Sequence, residues 1–378
     1  MTTVPVSLFK DHLMRKNTKS DLAHYLEKSI TNVYTESKTG SGLLTVLDGG
    51  WLLYQVKWTA GIKYGDLADV YNGFIEKRYG RVIVVFDGYE SSPKDQEHYR
   101  RVTKTAIDYA IDGQGVRVIA EDTGIFISLI HHWSPDMAEV YFQKEDRSSK
   151  TSSQSYKLSE LHANLDPIVQ KYILFIHVWS GCDTTSATFG QGKLQVLRHL
   201  VKSPEMHKNA DVISSELSSV DEVSQAGIQI FVSMFGGKRE ENFTALRYRK
   251  YQSMITTCRK IEPERLPTTE RAAHFHTLRE HIQVIRWRTL NNDTLDANEW
   301  GWKIARGRNV PIMTDKEAAH PKILKFIRCS CKPNSTQCAT NACTCRKTGL
   351  KCVASCSGCV GQQCCNTDVL NDVSDDEN

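Results

Sequence analysis

Long apolar runs are missing from this sequence of 378 residues. No stretch approaches the ~18 to 20 apolar residues that a helix needs to span a bilayer, so no membrane partner is predicted. Residues 1–16 contain no uninterrupted apolar segment of the signal-peptide kind, so we expect an intracellular chain. The net charge of +4 is too small to indicate a partner by itself. From these absences we predict neither a membrane protein nor a secreted one.

Cysteine is scarce before residue 329 and abundant after it. Ten of the twelve cysteines lie between Cys329 and Cys365, in a stretch with few large apolar residues. Such a stretch cannot bury a core, so structural metal or disulfides must supply its folding energy. A reducing compartment keeps thiols free, which favours zinc over disulfides.

The cysteine spacing is C-x-C-x6-C-x4-C-x-C-x6-C-x3-C-x2-C-x4-C-C, counted from Cys329. Closely spaced C-x-C pairs favour thiolates that bridge neighbouring zinc ions, so fewer than four cysteines serve each ion. Cys364 and Cys365 are adjacent, so they are not expected to serve one ion equally, and one of them could be free. The predicted zinc ligands are Cys329, Cys331, Cys338, Cys343, Cys345, Cys352, Cys356, Cys359 and Cys364.

Basic residues lie among these cysteines. Arg346, Lys347 and Lys351 in CRKTGLKC are predicted to contact the phosphates of DNA or RNA. The competing interpretation, that these side chains are only solvated, stays open. The segment has no aromatic residue, so base stacking is not indicated.

Apolar strands alternate with helices in the first half of the chain. Continuous apolar strands separated by helices predict an α/β fold with a parallel sheet covered on both faces. We predict strands at residues 43–48, 81–87, 116–122, 138–143 and 172–179, and helices at 64–79 and 94–110.

Five segments are predicted along the chain. Ser20 is expected to cap the first helix, and the clearest later helix covers residues 268–289. Trp287, Trp300 and Trp302 are predicted to anchor the core of the helical part. The segments are an N-terminal helical segment (1–40), an α/β domain (41–195), a helical extension (196–327), a cysteine-rich zinc module (328–366) and an acidic disordered tail (367–378).

Aspartates follow the predicted strands. Asp48, Asp87 and Asp122 follow three of them, and Asp183 follows the apolar run at 172–179. The carboxyl ends of parallel strands share one edge of a sheet, so these side chains are expected to converge. Carboxylates gathered there need cations, and two Mg²⁺ or Mn²⁺ ions could activate water for phosphodiester hydrolysis. For each aspartate alone, a turn or helix N-cap is the competing interpretation.

The segments LDGG, VVFDG, AEDTG and SGCDTTSA resemble the motif series of PIN-like nucleases of the flap endonuclease type. Residues 5–365 are similar to a multicopy, transposon-like animal family of PIN-like proteins, through further segments such as PVSLF, FGGKR and EWGW. The cysteine segment resembles the tesmin-type CXC module and the cysteine-rich segment that precedes SET domains. These resemblances imply a PIN-like fold, a nucleic-acid partner, a nuclear location and a zinc–thiolate tail.

The sequence departs from the family pattern at two places. An acidic segment, with a helix and a strand, normally precedes the match to KTAIDYA, whereas here Thr103 runs directly into Lys104. A missing strand would disturb the sheet. The third strand usually ends Asp-Thr-Asp, but here Gly124 takes the second ligand position. The candidate catalytic ligands that remain are Asp48, Asp87, Asp122 and Asp183, with Glu121 less favoured.

Three hypotheses stay open on this basis. The first is a nucleic-acid-binding protein derived from a metal-dependent nuclease whose active site is partly degraded. The second is a surviving Mg²⁺ or Mn²⁺ endonuclease, and the third is a zinc-stabilised interaction protein without affinity for nucleic acid. Losing three of about seven carboxylate ligands leaves one ion or none tightly bound, which favours the first.

Overall fold

In the part of the chain that it describes, the computed structural model contains ten strands and twelve helices of five or more residues. The structure describes residues 4–28, 34–35, 42–80, 82–86, 96–144, 154–257, 262–290, 295–316, 328–332, 336–352, 356–361 and 364–367. In chain order the strands are β1 (Phe9–Lys10), β2 (Leu13–Met14), β3 (Tyr34–Thr35), β4 (Leu44–Asp48), β5 (Val82–Val85), β6 (Val116–Ile119), β7 (Val140–Lys144), β8 (Gln154–Lys157), β9 (Trp302–Ala305) and β10 (Arg308–Pro311).

Several helices start where the sequence offers N-terminal signals. Asp166 accepts a hydrogen bond from the Ile168 amide before Pro167, and Ser219 forms a capping box with Glu222. The helices are α1 (Ser20–Lys28), α2 (Gly49–Leu53), α3 (Tyr64–Tyr79), α4 (Gln96–Ile111), α5 (Thr123–His132), α6 (Leu158–Asn164), α7 (Pro167–Trp179), α8 (Lys193–Lys202), α9 (Pro204–Ile213), α10 (Val220–Met234), α11 (Phe243–Thr257) and α12 (Glu270–Thr289).

The central sheet has six strands in the order β3-β8-β7-β6-β4-β5. The four strands β5, β4, β6 and β7 are parallel, with Val46 opposite both Ile83 and Val118, and β8 and β3 extend the sheet antiparallel. Helices between the parallel strands cover the sheet, so the predicted α/β class is confirmed. The helix α4 runs unbroken through Thr103 and Lys104, and the six described strands pair without interruption, so the predicted disturbance of the sheet is not seen.

One hydrophobic core joins the sheet to the helices of the second half. The ring of Phe126 on α5 stacks on Phe142 of β7 with 4.6 Å between centroids, while α7 packs against both α5 and α12. Trp287, Trp300 and Trp302 are buried, as predicted. Within the part of the chain that the structure describes, no helix combines the length and apolarity needed to cross a bilayer.

Two predictions about local structure are wrong. The apolar run at 172–179 is not a strand but the end of α7, in which nine residues are buried. A short apolar run does not distinguish a buried strand from a buried helix, and Asp166 with Pro167 were the decisive start signals. Residues 1–40 are also not only helical, because β1 and β2 form a short hairpin before α1.

Candidate metal centre and acidic recess

The cysteines of the tail form a cluster of their own. All nine predicted zinc ligands are buried, whereas Cys365 is exposed. Only Leu350 is recorded as an apolar side chain packed against the cluster among the described residues. Thiols that cluster without an apolar core need another source of cohesion, and metal is the usual one.

The distances within the cluster match zinc coordination. A Zn–S bond of about 2.3 Å places the sulfurs of one tetrahedral ion about 3.8 Å apart. The Sγ atom of Cys329 lies 3.8 Å from that of Cys352 and 3.6 Å from that of Cys359. The Cys345–Cys356 distance is 3.6 Å, and the Cys352–Cys338 distance is 4.0 Å. These distances are compatible with a bound metal ion such as zinc.

Cys329 is shared by three groups of four thiols. Within each group the sulfurs lie within 4.8 Å of one another, which matches the bridging that the C-x-C pairs predict. The groups are Cys329–Cys331–Cys338–Cys343, Cys329–Cys345–Cys352–Cys356 and Cys329–Cys338–Cys352–Cys359.

The backbone around the thiols is tightly folded. A Cβ atom at Gly358 would lie 2.1 Å from the carbonyl oxygen of Cys331, so only glycine fits there. The backbone amide of Arg346, at the start of the short helix Thr344–Lys347, faces the thiol of Cys343. Burial alone would raise the pKa of Cys343, but this amide and the neighbouring thiols lower it to about 7.

The outer surface of the cluster is basic. Arg346, Lys347 and Lys351 are all exposed. Residues 328–367 contain five lysines and arginines and no aspartate or glutamate. All charged residues of this stretch are therefore basic, which favours an anionic partner.

A small recess lies at the carboxyl end of β6. Asp122 caps α5, where its Oδ1 atom accepts a hydrogen bond of 2.6 Å from the Gly124 amide. Asp183 reaches the same recess from the loop after α7, so the structure brings these two predicted residues together. The free space is about 10 Å³, roughly the room for one water molecule.

The loop that carries Asp183 is fixed from inside the protein. The buried ammonium of Lys193 donates to the carbonyl oxygens of Gly181 (2.8 Å) and His177 (3.1 Å) at the end of α7. Burial lowers the pKa of Lys193 to about 8. Gly181 has φ +94° and lies against Ala187, so the chain turns there without room for a side chain.

Tyr99 bridges the two carboxylates. Its hydroxyl oxygen lies 2.9 Å from Oδ2 of Asp122 and 2.9 Å from Oδ2 of Asp183. A phenol has one proton and can donate to only one of them. Burial raises the pKa of Asp122, and hydrogen bonds from the Gly124 amide and Tyr99 partly offset this.

The recess does not fit the two-ion site that the resemblance implies. The other oxygen of Asp183, Oδ1, forms an ion pair with the ammonium of Lys19, so all four carboxylate oxygens contact protein donors. At Gly124, where the family pattern has a carboxylate, a Cβ atom would lie 3.2 Å from the Trp287 ring. A two-ion site holds its ions about 3.5–4 Å apart, and Mg²⁺ also keeps several bound waters. The recess offers too few carboxylates and too little space for such a site.

The other candidate ligands are placed differently. Asp48 ends β4, where its Oδ1 atom accepts a hydrogen bond of 3.0 Å from the Trp51 amide, and it is not among the described residues that line the recess. Glu121 precedes Asp122 and is likewise outside this lining. Asp87 lies outside the described residues, so the predicted convergence is seen for Asp122 and Asp183 only.

Several residues of the recess were missed by the sequence analysis. Tyr99, Lys19 and His177 line it together with Trp287, against which the His177 ring stacks with 5.2 Å between centroids. Trp287 was predicted only as a core anchor. Tyr99 lies 84 residues from Asp183 in sequence, and no local pattern joins them.

Comparison of the chain with family models, with curated proteins and with solved structures finds no match. The resemblance to PIN-like nucleases and to CXC modules therefore stays a prediction.

Proposed function

We propose that this chain is a nucleic-acid-binding protein with a zinc-held basic tail, attached to an α/β domain that descends from a metal-dependent nuclease. The observation that carries the proposal is the tail: nine buried thiols, eight of which form groups of four with their sulfurs within 4.8 Å of one another, in a segment (328–367) whose charged residues are all basic. The metal would fold the module, and Arg346, Lys347 and Lys351 would then present a compact positive surface to phosphates. A nuclear location agrees with such a partner.

The acidic recess supports binding without cleavage. Phosphodiester hydrolysis with two metals requires open carboxylate oxygens on both sides of the ions. Here each of the four oxygens of Asp122 and Asp183 lies at hydrogen-bond or ion-pair distance from a protein group, and Trp287 lies beside Gly124, where the PIN-like pattern has a carboxylate. We therefore expect no cleavage of nucleic acid with Mg²⁺ or Mn²⁺.

The test is binding of the zinc-loaded full chain to labelled DNA and RNA oligonucleotides, followed by fluorescence anisotropy across a salt titration. The triple variant Arg346→Ala/Lys347→Ala/Lys351→Ala should weaken binding and reduce the log–log salt slope by about 2.7 if three phosphate contacts are lost. The triple variant Lys57→Ala/Lys63→Ala/Lys77→Ala removes the same charge from exposed positions of the α/β domain and serves as control.

The outcomes separate the three hypotheses. Salt-dependent binding that the tail variant weakens more than the control supports the proposal. Absence of binding would leave an interaction protein held together by zinc. Metal-dependent cleavage that disappears in Asp122→Ala would establish an active endonuclease instead.

A further inference from the structure

An N-terminal strap, residues 4–19, crosses the loop that carries Asp183. The amide of Ala187 donates to the Arg15 carbonyl oxygen at 2.7 Å, and the amide of Phe189 donates to that of Ser7 at 2.8 Å. Leu8 and Phe9 of the strap are fully buried in the main core. The strap is therefore fixed on the loop by both backbone hydrogen bonds and apolar contacts.

Two lysines of the strap point at the same loop but contact different atoms. Lys16 donates hydrogen bonds to the main-chain oxygens of Asp183 and Cys182, and its ammonium lies 3.3 Å from the Cys182 oxygen. Lys19 instead forms an ion pair with the side chain of Asp183 and lines the recess. The Lys19 side chain is 50% exposed and that of Asp183 only 17%, so the ammonium meets the recess from the solvent side.

We propose that Lys19 is the resident cation of the acidic recess: its ammonium balances the charge of Asp183 and excludes divalent metal ions from it. An incoming ion would have to displace the Lys19 ammonium, which the strap holds at high effective concentration. If the ammonium stayed, the ion would be repelled by a charge of the same sign. Tyr99 and the Gly124 amide occupy the remaining carboxylate oxygens. The recess is thus a cation site in which the bound cation is the ammonium of Lys19, a residue of the chain itself. This inference concerns the recess and does not depend on nucleic-acid binding by the tail.

Removing the ammonium should therefore create a metal site. Lys19→Met keeps the length of the side chain and removes its charge, which leaves Asp183 without its counter-ion. We expect the variant to bind a hard trivalent or divalent ion at least tenfold more tightly than the unchanged protein. Lys16→Met removes a neighbouring lysine that contacts only main-chain oxygens, so it should bind no better than the unchanged protein.

The probe is Tb³⁺, added to the zinc-loaded full chain and read as terbium luminescence sensitised through tryptophan. Trp287 lines the recess, so an ion bound there lies close to a donor ring. A tenfold gain in Lys19→Met, with no gain in Lys16→Met and in Lys19→Arg, supports the proposal. Equal binding by the unchanged protein and Lys19→Met would overturn it, as would equal gains in both methionine variants.

One further variant and two control measurements keep the result unambiguous. Lys19→Met/Asp183→Asn should lose the gained luminescence, because the carboxylate that holds the ion is gone. A signal that survives in this double variant would place the ion elsewhere and refute the assignment. Far-UV circular dichroism and the salt-dependent binding of nucleic acid, measured on the same samples, report folding and the proposed function separately.

Discussion

Two adjacent cysteines at the end of the zinc module have opposite surroundings. Cys364 is buried and faces the thiols of Cys338, Cys352 and Cys359, whereas Cys365 is exposed. A buried thiol among other thiols can serve as a metal ligand, and an exposed one beside it can react with solvent. The sequence left open which of the two is free, and the structure assigns the exposed position to Cys365.

We expect Cys364→Ser to lower the zinc content of the purified chain and Cys365→Ser to leave it unchanged. A serine at position 364 cannot replace a soft thiolate ligand, whereas position 365 contributes none. Zinc released by thiol oxidation and measured with a colorimetric chelator gives the stoichiometry. In the zinc-loaded protein, iodoacetamide should label Cys365 first. Equal zinc loss in both variants would contradict this assignment.

Gly358→Ala tests the packing of the module. The added methyl group would lie 2.1 Å from the Cys331 carbonyl oxygen, and the backbone shift needed to relieve this costs about 1–3 kcal/mol. We expect the variant to lose zinc at a lower chelator concentration than the unchanged protein. Asn341→Ala, at an exposed position of the same module, should behave like the unchanged protein. Identical chelator curves for both variants would show that the module adapts to the methyl group.

At the scale of residues, the sequence predicted which residues could form a site better than it predicted which side chains lie in contact. The thiols could be predicted because all the ligands lie within about forty residues, so their metal-binding spacing is visible in the chain. The recess could not, because Tyr99, Lys19 and Trp287 come from three distant segments. The sequence identified Gly124 as a departure from the PIN-like pattern, but it did not show that Gly124 lies beside the ring of Trp287.

At the scale of elements, parallel strands were predictable and one buried helix was not. The strands β4, β5, β6 and β7 are short apolar runs between clear helices, and their order along the chain implies a parallel sheet. The helix α7 is buried on nearly every side, so it has no polar face to reveal a helical period. In α12 thirteen residues are buried too, but the helical spacing of its apolar residues after Pro267 made this helix predictable.

The contact between α10 and α12 depends on Gly227. A Cβ atom at this position would lie 1.9 Å from the Thr277 hydroxyl oxygen, so the two helices approach too closely for alanine. We expect Gly227→Ala to destabilise the protein by about 1–3 kcal/mol, as overpacking does. Urea unfolding followed by tryptophan fluorescence measures the change.

Gly73→Ala is the matched control on α3. Nothing lies within 4 Å of the methyl group there, so the change should stabilise the helix by up to about 1 kcal/mol. A destabilised Gly73→Ala, or an unaffected Gly227→Ala, would mean that the helices are not packed as described.

At the scale of the whole molecule, buried histidines make folding sensitive to acid. Burial lowers the pKa of His131 to about 3 and of His281 to about 4, and it also lowers those of His132, His177 and His276. In the unfolded chain each histidine takes up a proton near its ordinary pKa of about 6.5. The unfolded state therefore binds more protons below that pH, and stability falls as the pH decreases from about 6.5 towards 4.

We expect the free energy of unfolding to fall by up to about 1.4 kcal/mol per pH unit for each such histidine between pH 6 and pH 4. Glu280, whose pKa burial raises, offsets part of this. Urea unfolding at several pH values, read by tryptophan fluorescence, follows the main core because residues 328–367 contain no tryptophan. His131→Gln removes one protonating ring, so the unfolding free energy should fall less steeply with decreasing pH, by up to about 1.4 kcal/mol per pH unit. Stability that is constant from pH 7 to pH 4 would contradict the burial of these rings.

The strap has a practical consequence for anyone who shortens this protein. A chain cut before Ser20 would still contain every helix of the main body and every cysteine of the tail. It would nevertheless lack Leu8, Phe9 and Lys19, so the loop with Asp183 would be loosened and its carboxylate opened to ions from the buffer. A metal-dependent property found in such a fragment would then belong to the truncation and not to the intact molecule.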